Sequence, residues 1–160
     1  MSTHKTPPSA FEPEFVQLLT HLFEQKIVFN TVLGLKVNGI THDRVSGRID
    51  MRPELIGSYT HNRIHGGVIS ACLDAMGGLA AMAAIGARHM DEPPEQRLLR
   101  FTKLGTIDLR IDYLRPGIGT HFDLTAEVLR LGSRVASTRM EFRGPDGKLL
   151  STGAGAYIVS

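Results

Sequence analysis

The sequence predicts an α+β fold in which an antiparallel sheet wraps around one long central apolar helix. Three observations carry that prediction. Gly66 to Ala87 is an almost unbroken apolar stretch whose only charged residue is Asp74. After it come four segments in which apolar and polar residues alternate, divided by turn signals. Before it stand a segment with helical spacing and two short strand-like segments. The chain has 160 residues, the size of one domain. Its 42% hydrophobic and 21% charged residues are an ordinary globular mix, which excludes a mainly disordered chain, a collagen-like repeat or a coiled coil. Residues 1–10 read as a flexible N-terminal tail and residues 11–160 as a single domain.

The elements follow in order. Phe11, Phe15, Leu18, Leu19, Leu22 and Phe23 recur at helical spacing, so Phe11–Ile27 is expected to be an amphipathic helix, with Pro13 tolerated in its first turn. Leu33–Val37 and Arg44–Met51 are expected strands; in the second, Val45, Gly47, Ile49 and Met51 alternate with polar neighbours. Pro53 and Gly57 break Arg52–Ile64, which reads as irregular. The apolar helix starts near Gly67 and ends between Gly86 and Arg88. His89–Gln96, with Pro93 and Pro94, reads as a loop. Thr102–Leu114, Phe122–Leu131, Arg134–Arg143 and Leu149–Val159 are the four closing strands. Their turns fall at Pro116-Gly117, Gly132-Ser133 and Gly144-Pro-Asp-Gly147.

The apolar stretch is long enough to cross a bilayer. Asp74, five glycines and the lack of an aromatic belt argue instead for a core helix, and no membrane insertion is expected. Residues 1–10 lack the apolar core of a targeting signal, and one cysteine, Cys72, fits a reducing compartment, so a cytoplasmic protein is expected. Net charge is +2, too small for a general nucleic-acid binder. It is unevenly spread, with −2 over residues 1–96 and +4 over residues 97–160. A local basic surface suits a small phosphate-bearing ligand better than a long polyanion.

Asp74 is the most informative residue. A carboxylate within a buried apolar helix is costly unless neighbours hydrogen-bond it or it serves a site. Such a group can act as a general base toward water or as a nucleophile, or it can be purely structural. His65-Gly66-Gly67 precede it at a loop-to-helix junction, where a helix start presents free N–H groups suited to an oxyanion. Gly66 is eight residues from Asp74, about 12 Å at 1.5 Å per residue, so one chain does not readily bring the two together. Two helices side by side in a dimer would supply one group each.

Other readings are weaker. His61 and His65 have a spacing seen in metal sites, but no third ligand is evident and no metal is expected. The His-Gly-Gly string also occurs in α/β-hydrolases, but no G-x-S-x-G elbow accompanies it. There is no P-loop. Cys72, Met76 and Met82 read as packing. Arg115, Arg130 and Arg134 fall at strand ends, where they can grip phosphates or simply be solvated turn residues.

His65-Gly-Gly-Val with Asp74 nine residues after the histidine resembles the PaaI-like branch of the hotdog-fold acyl-CoA thioesterases. Thr106–Gly117, Arg130-Leu-Gly-Ser-Arg134 and Ala154–Ile158 fit the same branch. Pro53-Glu-Leu-Ile-Gly57 and the first helix are similar to the YigI-type medium- and long-chain enzymes. The resemblance spans residues 30 to 159. It implies a hotdog fold, a homodimer sharing one continuous sheet, often paired into a homotetramer, and an acyl-CoA substrate with no separate cofactor. It implies that Asp74 activates water or attacks the thioester carbonyl, that the Gly66 N–H of the other subunit polarises that carbonyl, and that His65 sits beside it. It places Gly67, Tyr113, Arg115, Pro116, Arg130, Gly132 and Arg134 against the substrate, with Arg130 and Arg134 on phosphates. Many relatives carry an asparagine six or seven residues before the histidine. Tyr59 and Ser58 stand there in this chain. Ser58 is a short polar substitute and Asn62 a second candidate.

The leading expectation is hydrolysis of a medium- or long-chain fatty acyl-CoA to free acid and CoA. The alternatives are a non-enzymatic acyl-CoA-binding protein and a hotdog hydratase acting on enoyl or hydroxyacyl thioesters. The hydratases' usual acid–histidine pattern is not found here.

Overall fold

A computed structural model describes residues 10–160. The tail reading of residues 1–9 lies outside the described residues. Nearly everything is organised around the long helix α3, Gly66–Arg88. It is apolar on most sides because a sheet and two short helical segments cover most sides. By length and composition it could cross a membrane, but 72% of its most apolar window is buried inside this fold.

The sheet has six antiparallel strands in the order β1 (Lys36–Ile40), β2 (Arg44–Asp50), β6 (His121–Leu131), β7 (Val135–Arg143), β8 (Leu149–Ile158) and β5 (Gly105–Tyr113). One row of cross-strand neighbours shows how it grips the helix. Val45, Ala126, Met140, Gly153 and Ile111 stand side by side across five strands. A Cβ at Gly153 would lie 3.1 Å from both Met140 and Ile111 and 3.5 Å from Leu73 of α3, so the sheet closes on the helix where a side chain is missing. Phe122, Leu124 and Ala126 alternate inward along β6, as the period of two demands, and Phe122 stacks on Phe142 at 5.0 Å.

The expected α+β architecture and the long helix are observed; several boundaries are not. The first helix stops early. α1 spans Pro13–His21, a π-helical turn follows at Leu22–Lys26, and a separate helix α2 occupies Val28–Leu33. Gly34, with φ of 74°, ends α2, so the expected strand at Leu33 begins only at Lys36. The segment read as irregular holds a 3₁₀ turn, Pro53–Leu55, and a small hairpin of β3 (Ile56–Ser58) and β4 (Arg63–Ile64). Asn62 sits in that hairpin's loop with φ of 48°, a conformation asparagine tolerates better than most residues. The expected loop at His89–Gln96 runs into helix α4, Pro94–Leu99, which proline opens at its first position. In β5 the inward alternation is broken by an irregularity between Thr106 and Asp108, which leaves Ile107 exposed.

α4 is locked to α1 by Arg97, a fully buried arginine. Its guanidinium pairs with Glu12 and lies 4.2 Å from the centroid of the Phe15 ring. Burial lowers its hold on its proton. Arg97→Ala is expected to cost about 3 kcal/mol, the low end for a broken buried pair because Glu12 is partly exposed. Urea unfolding measures this, and a loss below about 1 kcal/mol would rank the pair with ordinary surface ion pairs.

Candidate active site

Asp74 lies on the third turn of α3 and is half-buried rather than enclosed, because its face of the helix opens into a cavity of about 420 Å³. Its carboxylate is held from the sheet. Thr106, at the start of β5, donates its hydroxyl to Oδ1 at 2.9 Å. Tyr157, near the end of β8, donates to the same oxygen at 3.2 Å and to the Asp74 main-chain carbonyl at 2.9 Å. Oδ2 has no hydrogen-bond partner among the described residues. The Tyr157 ring is buried, and burial together with the Asp74 charge raises its phenol far above the usual tyrosine range. The group therefore stays a neutral O–H donor at any physiological pH.

The phenol fits because two glycines leave room. A Cβ at Gly77 would collide with the Tyr157 hydroxyl, and one at Gly155 would lie 2.9 Å from its ring. Neither Thr106 nor Tyr157 stood out in the chain, since they reach Asp74 from 32 and 83 residues away.

His65 caps α3. Its Nδ1 accepts from the Gly67 N–H at 2.8 Å, so a neutral ring carries its proton on Nε2. The Gly66 N–H, at the first helical position, has no partner among the described residues, while the Gly66 carbonyl accepts from the Tyr113 hydroxyl at 2.8 Å. Gly66, Tyr113, Arg115 and Pro116 line a second cavity of about 400 Å³, distinct from the one at Asp74. One Arg115 nitrogen is committed to the Leu149 carbonyl at 2.9 Å and ties the end of β5 to β8.

Ser58 is half-buried in the β3–β4 hairpin, 3.5 Å from the His61 ring. Asn62 is exposed, and its hairpin position accounts for its residue type. Arg130 and Arg134 flank the turn at Gly132 and Ser133, and neither forms an ion pair among the described residues. Arg88, at the end of α3, braces that turn by donating to the carbonyls of Leu131 and Gly132. Cys72 is packing, as expected, and burial pushes its thiol up to about 12. Met82 belongs to the core, as expected, and also lines the Asp74 cavity.

The site thus offers a carboxylate held by two hydroxyl donors at the edge of a partly apolar cavity. A free N–H at a helix start opens onto a different cavity. Residues 61–151 match the family described as the thioesterase superfamily. The chain is 32% identical to the medium/long-chain acyl-CoA thioesterase YigI of Salmonella typhimurium over 90% of this chain and 93% of the relative. Against the Escherichia coli protein of the same name the identity is 31% over the same shares. A crystal structure of a Shewanella oneidensis protein related to the thioesterase superfamily superposes with a TM-score of 0.85 at 39% identity, covering 94% of this chain and all of that one.

The glycine slot is testable without an activity. Gly77→Ala places a methyl group on the Tyr157 hydroxyl and is expected to cost about 1–3 kcal/mol in urea unfolding. Gly78→Ala meets only ordinary contacts, 3.7 Å to Leu104, and is expected to be neutral or to stabilise by up to about 1 kcal/mol. Equal unfolding midpoints for the two variants would mean that the slot is not rigid.

Proposed function

The chain is a YigI-type hotdog thioesterase of the thioesterase superfamily, and we propose that it hydrolyses medium- or long-chain fatty acyl-CoA to the free acid and CoA, with Asp74 as the general base. The observation that carries this reading is the Asp74 cavity. A carboxylate anchored through one oxygen stands beside a pocket walled by Phe23, Ile27, Met82, Leu104 and Leu109. That arrangement suits a polar reacting group attached to an aliphatic tail.

The proposed chemistry follows from the geometry. A water at Oδ2 loses its proton to Asp74 as its oxygen attacks the thioester carbonyl. The resulting oxyanion is met by the Gly66 N–H. Collapse breaks the C–S bond, and the departing thiolate takes the proton back from Asp74. No cofactor is required. The two groups are about 12 Å apart along one helix and face different cavities, so the donor comes from a second copy of the chain. The free edge of β5, with Ile107 and Tyr113 exposed, supports pairing into a homodimer, which can double into a tetramer. Arg130 and Arg134 are proposed to hold CoA phosphates, with His65, Gly67 and Pro116 lining the path of the thioester and pantetheine arm and Ser58 as a polar neighbour of the water. A cytoplasmic setting accords with this substrate.

Thiol release from acyl-CoAs tests the assignment. Asp74→Asn is expected to lower kcat by about 10²–10⁴ with the fold intact. Gly66→Pro removes one N–H while keeping a residue suited to the first helical position, and His65, with ψ of 135°, tolerates a following proline. A loss of about 10²–10³ in kcat is expected. Turnover unchanged in both variants would assign the chemistry to other residues.

A further inference from the structure

The Asp74 cavity is polar at Ser70 and Asp74 and largely apolar toward Met82. Along α3 its wall is formed by Ser70, Ala71, Asp74, Ala75, Gly78 and Met82. Ser70 is half-exposed and lies toward the helix start, whereas Met82 is 7% exposed. Gly78 stands one turn beyond Asp74, and a Cβ there would already be in van der Waals contact with Leu104 at 3.7 Å, so a larger side chain would fill the channel at this point. Past Met82 the next residue on this face is Gly86, and the Phe15 ring is packed directly onto it. The channel therefore ends at Met82, with Phe15 as the stop behind it.

We infer that Met82 is the residue that measures acyl-chain length, with Gly78 as the opening through which the chain must pass; this rests on the acyl-CoA reading above. The distance sets the expected length. Asp74 to Met82 is eight residues, about 12 Å of helix rise. An extended chain advances about 1.2 Å per bond, so the channel holds roughly ten carbons. Removing the Met82 side chain opens about one further turn before Phe15, room for roughly four more carbons. A large side chain at Gly78 leaves about 6 Å, roughly five carbons.

Two readouts separate this inference from the reading beneath it. The first is kcat/KM for acyl-CoAs from four to sixteen carbons. The second is the affinity of non-hydrolysable S-alkyl-CoA thioethers of the same lengths, measured by calorimetry. For the unaltered protein, affinity is expected to rise about fourfold per methylene up to roughly ten carbons and then level off. Met82→Ala is expected to move the plateau to roughly fourteen carbons, and Gly78→Leu to bring it down to roughly five. Should Gly78→Leu fail to fold, Met82→Ala decides alone. Plateaus that coincide in Met82→Ala and the unaltered protein would overturn the assignment of Met82. Absence of hydrolysis with length-dependent thioether binding would overturn the enzymatic reading and leave the gauge standing.

Discussion

A single carboxylate on an apolar helix is the constraint on which this structure turns. Asp74 sits in a helix that the fold largely buries, and a charge there is tolerable only with donors and access to solvent. The sheet supplies the donors from two neighbouring strands, Thr106 of β5 and Tyr157 of β8. The cavity supplies the access. Tyr157 reaches the helix because Gly77 and Gly155 give it space, so these glycines serve the carboxylate at one remove. The same phenol also holds the Asp74 main chain, which joins the position of the charge to the position of the helix.

Much of this was legible in the chain, for reasons that can be stated residue by residue. Asp74 was conspicuous because nothing else in its stretch is charged. His65-Gly66-Gly67 marked the helix start because two glycines heading an apolar stretch suit a loop-to-helix junction; that His65 caps α3 is seen only in the structure. The four closing strands were legible because alternation with a period of two survives in β6 and β7, where one face is fully buried. The misses share a cause. Thr106 and Tyr157 act across the fold, and no local pattern announces such a contact. The expected first helix ended at Ile27, where the backbone does break, but no pattern marked the π-helical turn before it or the separate α2 after it. β3 and β4 are too short to show a period. Met82 was read as core and is core; its second position, as a cavity wall, left no separate signal because a cavity wall and a packed interior take the same residue types.

The separation of the site into two cavities is what the topology makes of one long helix. Its N-terminus, with the unpaired Gly66 N–H, and its Asp74 face point into different spaces. Tyr113 is tied to both the strand and the helix start, since its hydroxyl bonds the Gly66 carbonyl while its backbone ends β5. Strand β5 thereby links the two halves, with Thr106 at one end serving the carboxylate and Tyr113 at the other serving the donor. In the proposed mechanism, a second copy paired along that edge is what supplies the complementary half.

Subunit complementation tests this account most directly. Asp74→Asn and Gly66→Pro chains carrying different affinity tags would be co-expressed, purified through both tags, and assayed for thiol release from a ten-carbon acyl-CoA. Each variant alone is expected to be inactive. In the mixed dimer one of the two sites receives both an intact Asp74 and an intact Gly66, so about half of the unaltered turnover per dimer should return. A mixed dimer that forms but stays as inactive as its parents would contradict a site built from two chains.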